Sequence, residues 1–201
     1  SMFVTKNYKS SFIMFLYKAS SFFVDQFYFQ NISDYNFFIK NQFFFENNSV
    51  LIPGSGVDTN IYKKEKNTRN TSNFTFTFAS RLIEEKGILE FISAGKILRK
   101  KYDNIKFKIF GDFPIDKKTT INQEKLLNEI KGYKNIYYHG HSDNMIEKLK
   151  ESNCIVLPTY YKEGTPKVLL EAASLEVPII ATNIAGVNDI LSDNFNGFFC
   201  N

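Results

Sequence analysis

The chain has no tryptophan, two cysteines, two histidines and five prolines. Cys154 in NCIVLP and Cys200 in GFFC each sit in an apolar run, with no CxxC pair and no histidine cluster nearby. This excludes a disulfide scaffold and a zinc ribbon, and both thiols are expected to be reduced core residues. His139 and His141 stand two apart with no third ligand in view, so no metal site is expected. Glycine is equally spare where nucleotide fingerprints need it. Gly54-Ser55-Gly56 lacks the third glycine of GxGxxG and the Lys-Ser/Thr of a P-loop, which leaves it a hinge turn and disfavours a nicotinamide-dependent oxidoreductase. Charge of one sign is lacking too: Lys+Arg 25 against Asp+Glu 21 gives +4, no footprint for a nucleic-acid partner. The most apolar stretch, Phe12 to Phe29, is broken by Lys18, Asp25 and Gln26, short of the roughly 18 residues a spanning helix needs.

What is present is a chain of 201 residues, 43% hydrophobic, with 22 Phe and 11 Tyr. That is enough for one full core and a remainder. From Phe74 onward, short β-rich runs alternate with amphipathic stretches, the pattern of βαβ units in a parallel sheet. The strands are expected at 74–80, 105–111, 135–140, 153–158, 177–182 and 197–200. Between them Ile88, Phe91, Ile92, Gly95 and Leu98 fall at helical spacing, as do Leu126, Leu127 and Ile130, then Met145, Ile146 and Leu149. A further helix is expected from Pro166 to about Glu176, with Thr165 as N-cap and Pro166 in its first turn. The fold class is α/β, a Rossmann-like doubly wound parallel sheet over residues 51–201. Residues 1–50 read differently: a helix over 9–21, a strand over 22–30, a helix over 34–45 and a strand over 48–54. Residues 62–73 are polar, basic and without period, a solvated loop.

In an open α/β sheet, ligands bind outside the carboxyl ends of the strands. Polar residues gather in those loops: Arg81 and Lys86 after the first strand, His139-Gly140-His141 after the third, and Tyr160 to Pro166 after the fourth. A helix start presents free N–H groups and a positive dipole end, a seat for a diphosphate near Gly164 and Thr165. Glu171 can accept from the vicinal hydroxyls of a ribose, and Glu163 from a sugar. Arg81 and Lys86 supply cations that offset charge on a departing nucleoside diphosphate without a metal.

The segments ASRLIEEKG (79–87), YKEGTPKVLLEA (161–172), VPIIATNIAG (177–186) and NGFFC (196–200) resemble the nucleotide-sugar half of a GT-B glycosyltransferase of family 4, the retaining class with the E-x7-E motif. IPGSGVD (52–58) and FQN (29–31) are similar to that family's interdomain region. The spacing in YYKEGTPKVLLEA is similar to bacterial enzymes acting on polyprenyl-linked or surface-polysaccharide acceptors. The resemblance implies Arg81, Lys86 and Glu163 as catalytic residues on the donor diphosphate and sugar, and Glu171 on the ribose. It further implies Gly164 and Thr165 at sugar and phosphate, and the segment from Tyr137 to Gly140 near the base. It implies a hexosyl- or N-acetylhexosaminyltransferase using a nucleotide diphosphate sugar, most commonly a UDP-sugar, in cell-surface polysaccharide synthesis. No metal or other cofactor is implied, and the absence of DxD speaks against the metal-dependent GT-A kind.

The family's first half carries a glycine-rich loop and acceptor-side residues, of which residues 1–50 hold a remnant. The family also continues past the NGFFC strand. The expectation is therefore a donor-binding portion, inactive alone, that relies on a missing N-terminal half or a partner chain. The Phe-rich stripe in residues 12–45 is then core or interface against that partner, or alternatively a membrane-surface face on a cytoplasmic protein. A non-catalytic nucleotide-binding or assembly module is the competing reading, and the Arg81, Lys86, Glu163 and Glu171 set argues against it.

Overall fold

The computed structural model describes residues 8–43, 48–52, 54–65, 72–114, 121–161 and 164–200. The alternation FTFTFA forms strand β3 (Phe74–Ala79), with β1 (Phe27–Phe29) and β2 (Ser49–Leu51) before it in the chain. Phe76 and Phe78 leave one face of β3 and Thr75 and Thr77 the other, because side chains alternate along a strand. On the phenylalanine face, Phe78 meets Phe91 at a centroid distance of 5.6 Å, and Phe76 stacks on Phe107 at 4.9 Å. On the other face, the Thr77 hydroxyl shares a 2.6 Å hydrogen bond with Ser152, whose hydroxyl also reaches the Lys148 carbonyl. Both threonines are buried, and this pairing removes the cost of an unmet hydroxyl at Thr77.

Strands β4 (Ile105–Phe110), β5 (Ile136–Tyr138), β6 (Cys154–Leu157), β7 (Ile179–Thr182) and β8 (Gly197–Cys200) complete a six-stranded sheet in the order β5-β4-β3-β6-β7-β8. All of its pairings are parallel, as the expected βαβ units require. Right-handed crossovers place α3 (Ile88–Arg99) and α4 (Gln123–Ile130) on one face, and α5 (Met145–Lys150) and α6 (Lys167–Ser174) on the other. The core lies between these layers and includes Phe78, Leu82, Ile92, Ile109, Ile155 and Leu169. The helical stripes face it as expected, except that Leu127 is exposed and Ile146 is not part of the core cluster. Cys154 is buried and free, whereas Cys200 is half-exposed on β8, so the second thiol is not a core residue. Val156, Ile180 and Phe198 stand in one row across β6, β7 and β8. Their face opens into an apolar groove of about 460 Å³ that runs from Val156 and Ile180 to Phe91 of α3.

The first section forms a two-stranded sheet and a small core of its own. Helix α1 (Tyr8–Ser21) leads to β1, which pairs in parallel with β2, and α2 (Ile32–Lys40) lies between them. The expected division after residue 50 falls inside β2. Asn31 caps α2 by accepting from the Asp34 N–H at 2.8 Å, so this helix starts earlier than the expected residue 34. It ends at Lys40, and residues 44 and 45 lie outside the described residues. The strand expected over 22–30 is confined to 27–29, because Phe23 folds back onto the Ser20 carbonyl to close α1. Phe29 and Phe43 form its core, while Phe22 and Phe23 are 81% and 90% exposed.

Candidate functional site

Sheet order reverses between the adjacent strands β3 and β6, since the chain passes from β3 outward to β5 before returning to β6. Loops leaving the two strands therefore part over a crevice at the carboxyl edge, the place where open α/β sheets bind ligands. The β3 loop carries Arg81 and then a 3-10 turn over Glu84–Lys86. The β6 loop carries residues 158–161 and 164–166. They are joined through the Glu85 carbonyl, which accepts from the Thr159 hydroxyl at 3.0 Å and from the Tyr160 and Tyr161 N–H groups at 2.9 and 3.0 Å. Gly87 permits this approach: its φ is +80°, and a Cβ there would lie 2.1 Å from the Pro158 carbonyl oxygen. Gly111, after β4, is as constrained, with a would-be Cβ 1.8 Å from the Ser80 carbonyl oxygen. Its N–H donates to the Gly140 carbonyl at 2.9 Å, which ties the loops after β3, β4 and β5 together.

Lys86 is buried, and its ammonium lies 5.4 Å from the centroid of the Tyr161 ring. An aromatic face attracts a cation, but burial disfavours the charge. Burial first, and then the charge of Arg81, push its amine down to about 8. Arg81 itself is exposed. Two like charges thus share one wall of the crevice.

The opposing element is α6. Its N-cap is Pro166, not Thr165, because Pro166 has extended backbone (ψ 115°) while its carbonyl accepts from Leu169 at 3.0 Å. Released from capping, the Thr165 hydroxyl oxygen is buried with no hydrogen-bond partner among the described residues. Gly54 packs directly on it, since a Cβ at that position would lie 2.7 Å from the hydroxyl. Gly164 faces the Gln30 amide oxygen, 3.5 Å from a would-be Cβ. The turn after β1 and the turn after β2 therefore border the mouth of the crevice. Glu171, in the second turn of α6, is buried and accepts from the Tyr62 hydroxyl at 2.9 Å. The Lys167 ammonium stands 3.6 Å from the same oxygen, Oε1.

The structure thus brings Arg81 and Lys86 together on the loop bound to the β6–α6 connection, and holds Gly164, Thr165 and Glu171 along that connection and its helix. Gly140 lies at the carboxyl edge beyond β5, with φ +73°. Tyr137 does not join them: its hydroxyl donates to the Lys134 carbonyl at 2.6 Å, at the start of β5 and away from that edge. Glu163 lies outside the described residues. His139 stacks on Phe110 at 4.9 Å, and His141 contacts Asp112 at 2.9 Å.

Sequence reasoning missed Gln30, Glu85 and above all Tyr62, which it left in a solvated loop. Residues 66–71 of that loop lie outside the described residues, but Tyr62 is fastened to α6 and Lys64 to Glu176 just beyond it. A signal existed in Asp58, whose carboxylate accepts from Asn60 N–H at 2.9 Å, a local turn that side chains of this kind make. Its carbonyl then accepts from the Tyr62 N–H at 2.9 Å and aims the ring.

Comparison with known proteins gives the family of the chain. The capsular polysaccharide biosynthesis glycosyltransferase CapM of Staphylococcus aureus is 28% identical over 155 residues, which are 77% of this chain and 40% of that protein. The N,N'-diacetylbacillosaminyl-diphospho-undecaprenol alpha-1,3-N-acetylgalactosaminyltransferase of Campylobacter jejuni is 27% identical over 99% of this chain and 54% of its own length. The chain thus spans about half, or less, of the curated relatives it matches. Among solved structures, Anabaena HepE in complex with UDP superposes with a TM-score of 0.81 at 16% identity, over 98% of this chain and 56% of that one. The sequence profile of Glycosyl transferases group 1 matches residues 60–201, taking in both crevice loops and the whole six-stranded sheet, and the chain belongs to that family.

Proposed function

We propose that residues 51–201 are the donor-binding half of a retaining hexosyl- or N-acetylhexosaminyltransferase that uses a UDP-sugar in cell-surface polysaccharide synthesis, with residues 1–50 belonging to the acceptor half and the interdomain segment. One observation carries the reading: the cations of Arg81 and Lys86 share one crevice wall opposite the start of α6, and an anion between them would relieve their mutual repulsion. A nucleoside diphosphate fits that charge. Arg81 grips phosphate oxygens in a planar fork, and Lys86 adds a compact charge beside it. As the bond to the sugar breaks, both stabilise the diphosphate that leaves. Glu171 accepts from the ribose hydroxyls, Glu163 holds the donor sugar, and the backbone at Gly164 and Thr165 meets sugar and phosphate. Gly140, at the carboxyl edge beyond β5, borders the base, and Tyr137 is left out of that role. The names of the Campylobacter relative and of the HepE complex support a polyprenyl-linked acceptor and a uridine donor.

The exposed aromatics of α1 and the turn after it support contact with a complementary half or a partner chain, and a membrane surface is the alternative. Among the described residues no helix is long and apolar enough to cross a membrane.

Calorimetric titration with UDP, ADP and GDP tests the donor reading. UDP is expected to bind most tightly, and Glu171→Ala to weaken it by about 10- to 100-fold, the worth of hydrogen bonds to a charged group. Equal affinity for all three nucleotides, or an unchanged Glu171→Ala, would remove the uridine or the ribose assignment respectively.

A further inference from the structure

Tyr62 is held on three sides before its hydroxyl is considered. Its N–H donates to the Asp58 carbonyl at 2.9 Å, and its own carbonyl accepts from the Ser174 hydroxyl at 2.6 Å. Two residues on, the Lys64 ammonium pairs with Glu176 at 2.5 Å. The segment from Asp58 to Lys64 is thus a strap laid across the C-terminal part of α6 and the turn after it, and the half-buried Tyr62 ring packs against the main core. From that fixed ring the hydroxyl reaches Glu171 Oε1 at 2.9 Å. The Lys167 ammonium approaches the same oxygen at 3.6 Å. Both contacts fall on Oε1 and none of the described hydrogen bonds or ion pairs uses Oε2, so the carboxylate has one oxygen anchored and one open.

We propose that Tyr62 is a positioning residue of the donor site, whose hydroxyl fixes the rotation of the Glu171 carboxylate so that its open oxygen meets the vicinal hydroxyls of a ribose. This rests on the reading of Glu171 as the ribose-binding carboxylate. A carboxylate that must accept from two hydroxyls on adjacent carbons has to present a defined plane, and a free glutamate side chain loses rotamer entropy in adopting it. A preset plane removes that cost from binding. The hydroxyl can serve throughout the ordinary pH range, because burial and the hydrogen bond to Glu171 push its own ionisation up to about 12. It stays a donor. Tyrosine at this place therefore does what phenylalanine cannot, although the two pack alike.

The test titrates the full chain, as wild type, Tyr62→Phe and Glu171→Ala, with UDP and with 2',3'-dideoxy-UDP, which lacks both ribose hydroxyls. Wild type is expected to prefer UDP, and Glu171→Ala to abolish that preference. Tyr62→Phe is expected to cut the preference by about three- to tenfold through UDP alone, the worth of one ordinary hydrogen bond. It should leave affinity for the dideoxy nucleotide within error. Loss of affinity for both nucleotides alike would make Tyr62 a packing residue and overturn the proposal. So would an unchanged preference in Tyr62→Phe beside a lost one in Glu171→Ala, which leaves the ribose assignment standing. A preference that survives Glu171→Ala sinks the ribose assignment, and the positioning role with it.

Discussion

Lys86 carries two pH dependences of opposite sign. Its amine ionises near 8 in the folded chain and near 10.5 unfolded, since burial and Arg81 disfavour the charge. Between those values the unfolded chain holds the extra proton, so this residue's contribution to stability rises with pH over that window. Diphosphate binding needs the ammonium and runs the other way. UDP affinity is expected to fall as pH climbs past about 8, with proton uptake on binding, while folding stability gains. Lys86→Met should flatten both slopes, as read by UDP titration and urea unfolding between about pH 7 and about pH 10. Parallel slopes in the variant would assign the titration to another group. Lys86 was legible in the sequence because Lys-Gly closes a short loop after a strand. Tyr62 was not: its partner is 109 positions away, and no local period marks a contact that the sheet brings about.

At the scale of elements, strands β3 to β8 were legible because alternation and turn residues bound each run. The errors collect where a terminus is decided by more than propensity. Thr165 looks like an N-cap by residue type, yet the extended ψ of Pro166 and the packing of Gly54 on the threonine hydroxyl move the cap one residue on. Residues 22–26 look like strand by their aromatics, but hydrogen bonds closing α1 claim them first. The junction of the two crevice loops makes its own prediction through Gly87. Gly132 has the same left-handed backbone (φ +85°) with nothing within 4 Å of a would-be Cβ, whereas at Gly87 the Cβ would meet the Pro158 carbonyl at 2.1 Å. Gly132→Ala is expected to cost about 1 kcal/mol from backbone conformation alone. Gly87→Ala should cost about 1–3 kcal/mol more, from forced separation of the loops, and should weaken UDP binding because Lys86 rides on the displaced segment. Equal urea midpoints for the two variants would show that the loops part without resistance.

For the whole molecule, two cores of unequal size sit on one chain. The larger lies within the six-stranded sheet and its helices; the smaller is Phe29 and Phe43 with their partly buried neighbours. Their meeting places include Gly54 on Thr165 and Gln30 near Gly164, at the mouth of the crevice. The smaller unit leaves Phe12, Phe15, Phe22 and Phe23 more than 60% exposed. Burying one such ring is worth about 2 kcal/mol, so four together favour association with any apolar surface on offer. In a solution of this chain alone, that surface is another copy. Sedimentation velocity is therefore expected to show concentration-dependent self-association that Phe22→Ser combined with Phe23→Ser reduces, with UDP affinity and the main unfolding transition unchanged. Removing residues 2–50 should act in the same direction and keep the parallel-sheet circular dichroism, because the larger core draws none of its buried members from that section. A shortened chain that loses cooperative unfolding would instead make the small unit part of the domain's own foundation. Association that persists in both variants would move the sticky surface to the apolar groove between α3 and strands β6 to β8. The Phe-rich stripe of residues 12–45 was legible as core or interface, but a sequence shows only how many rings there are, and packing decides which of them, and which side of the sheet, remain uncovered.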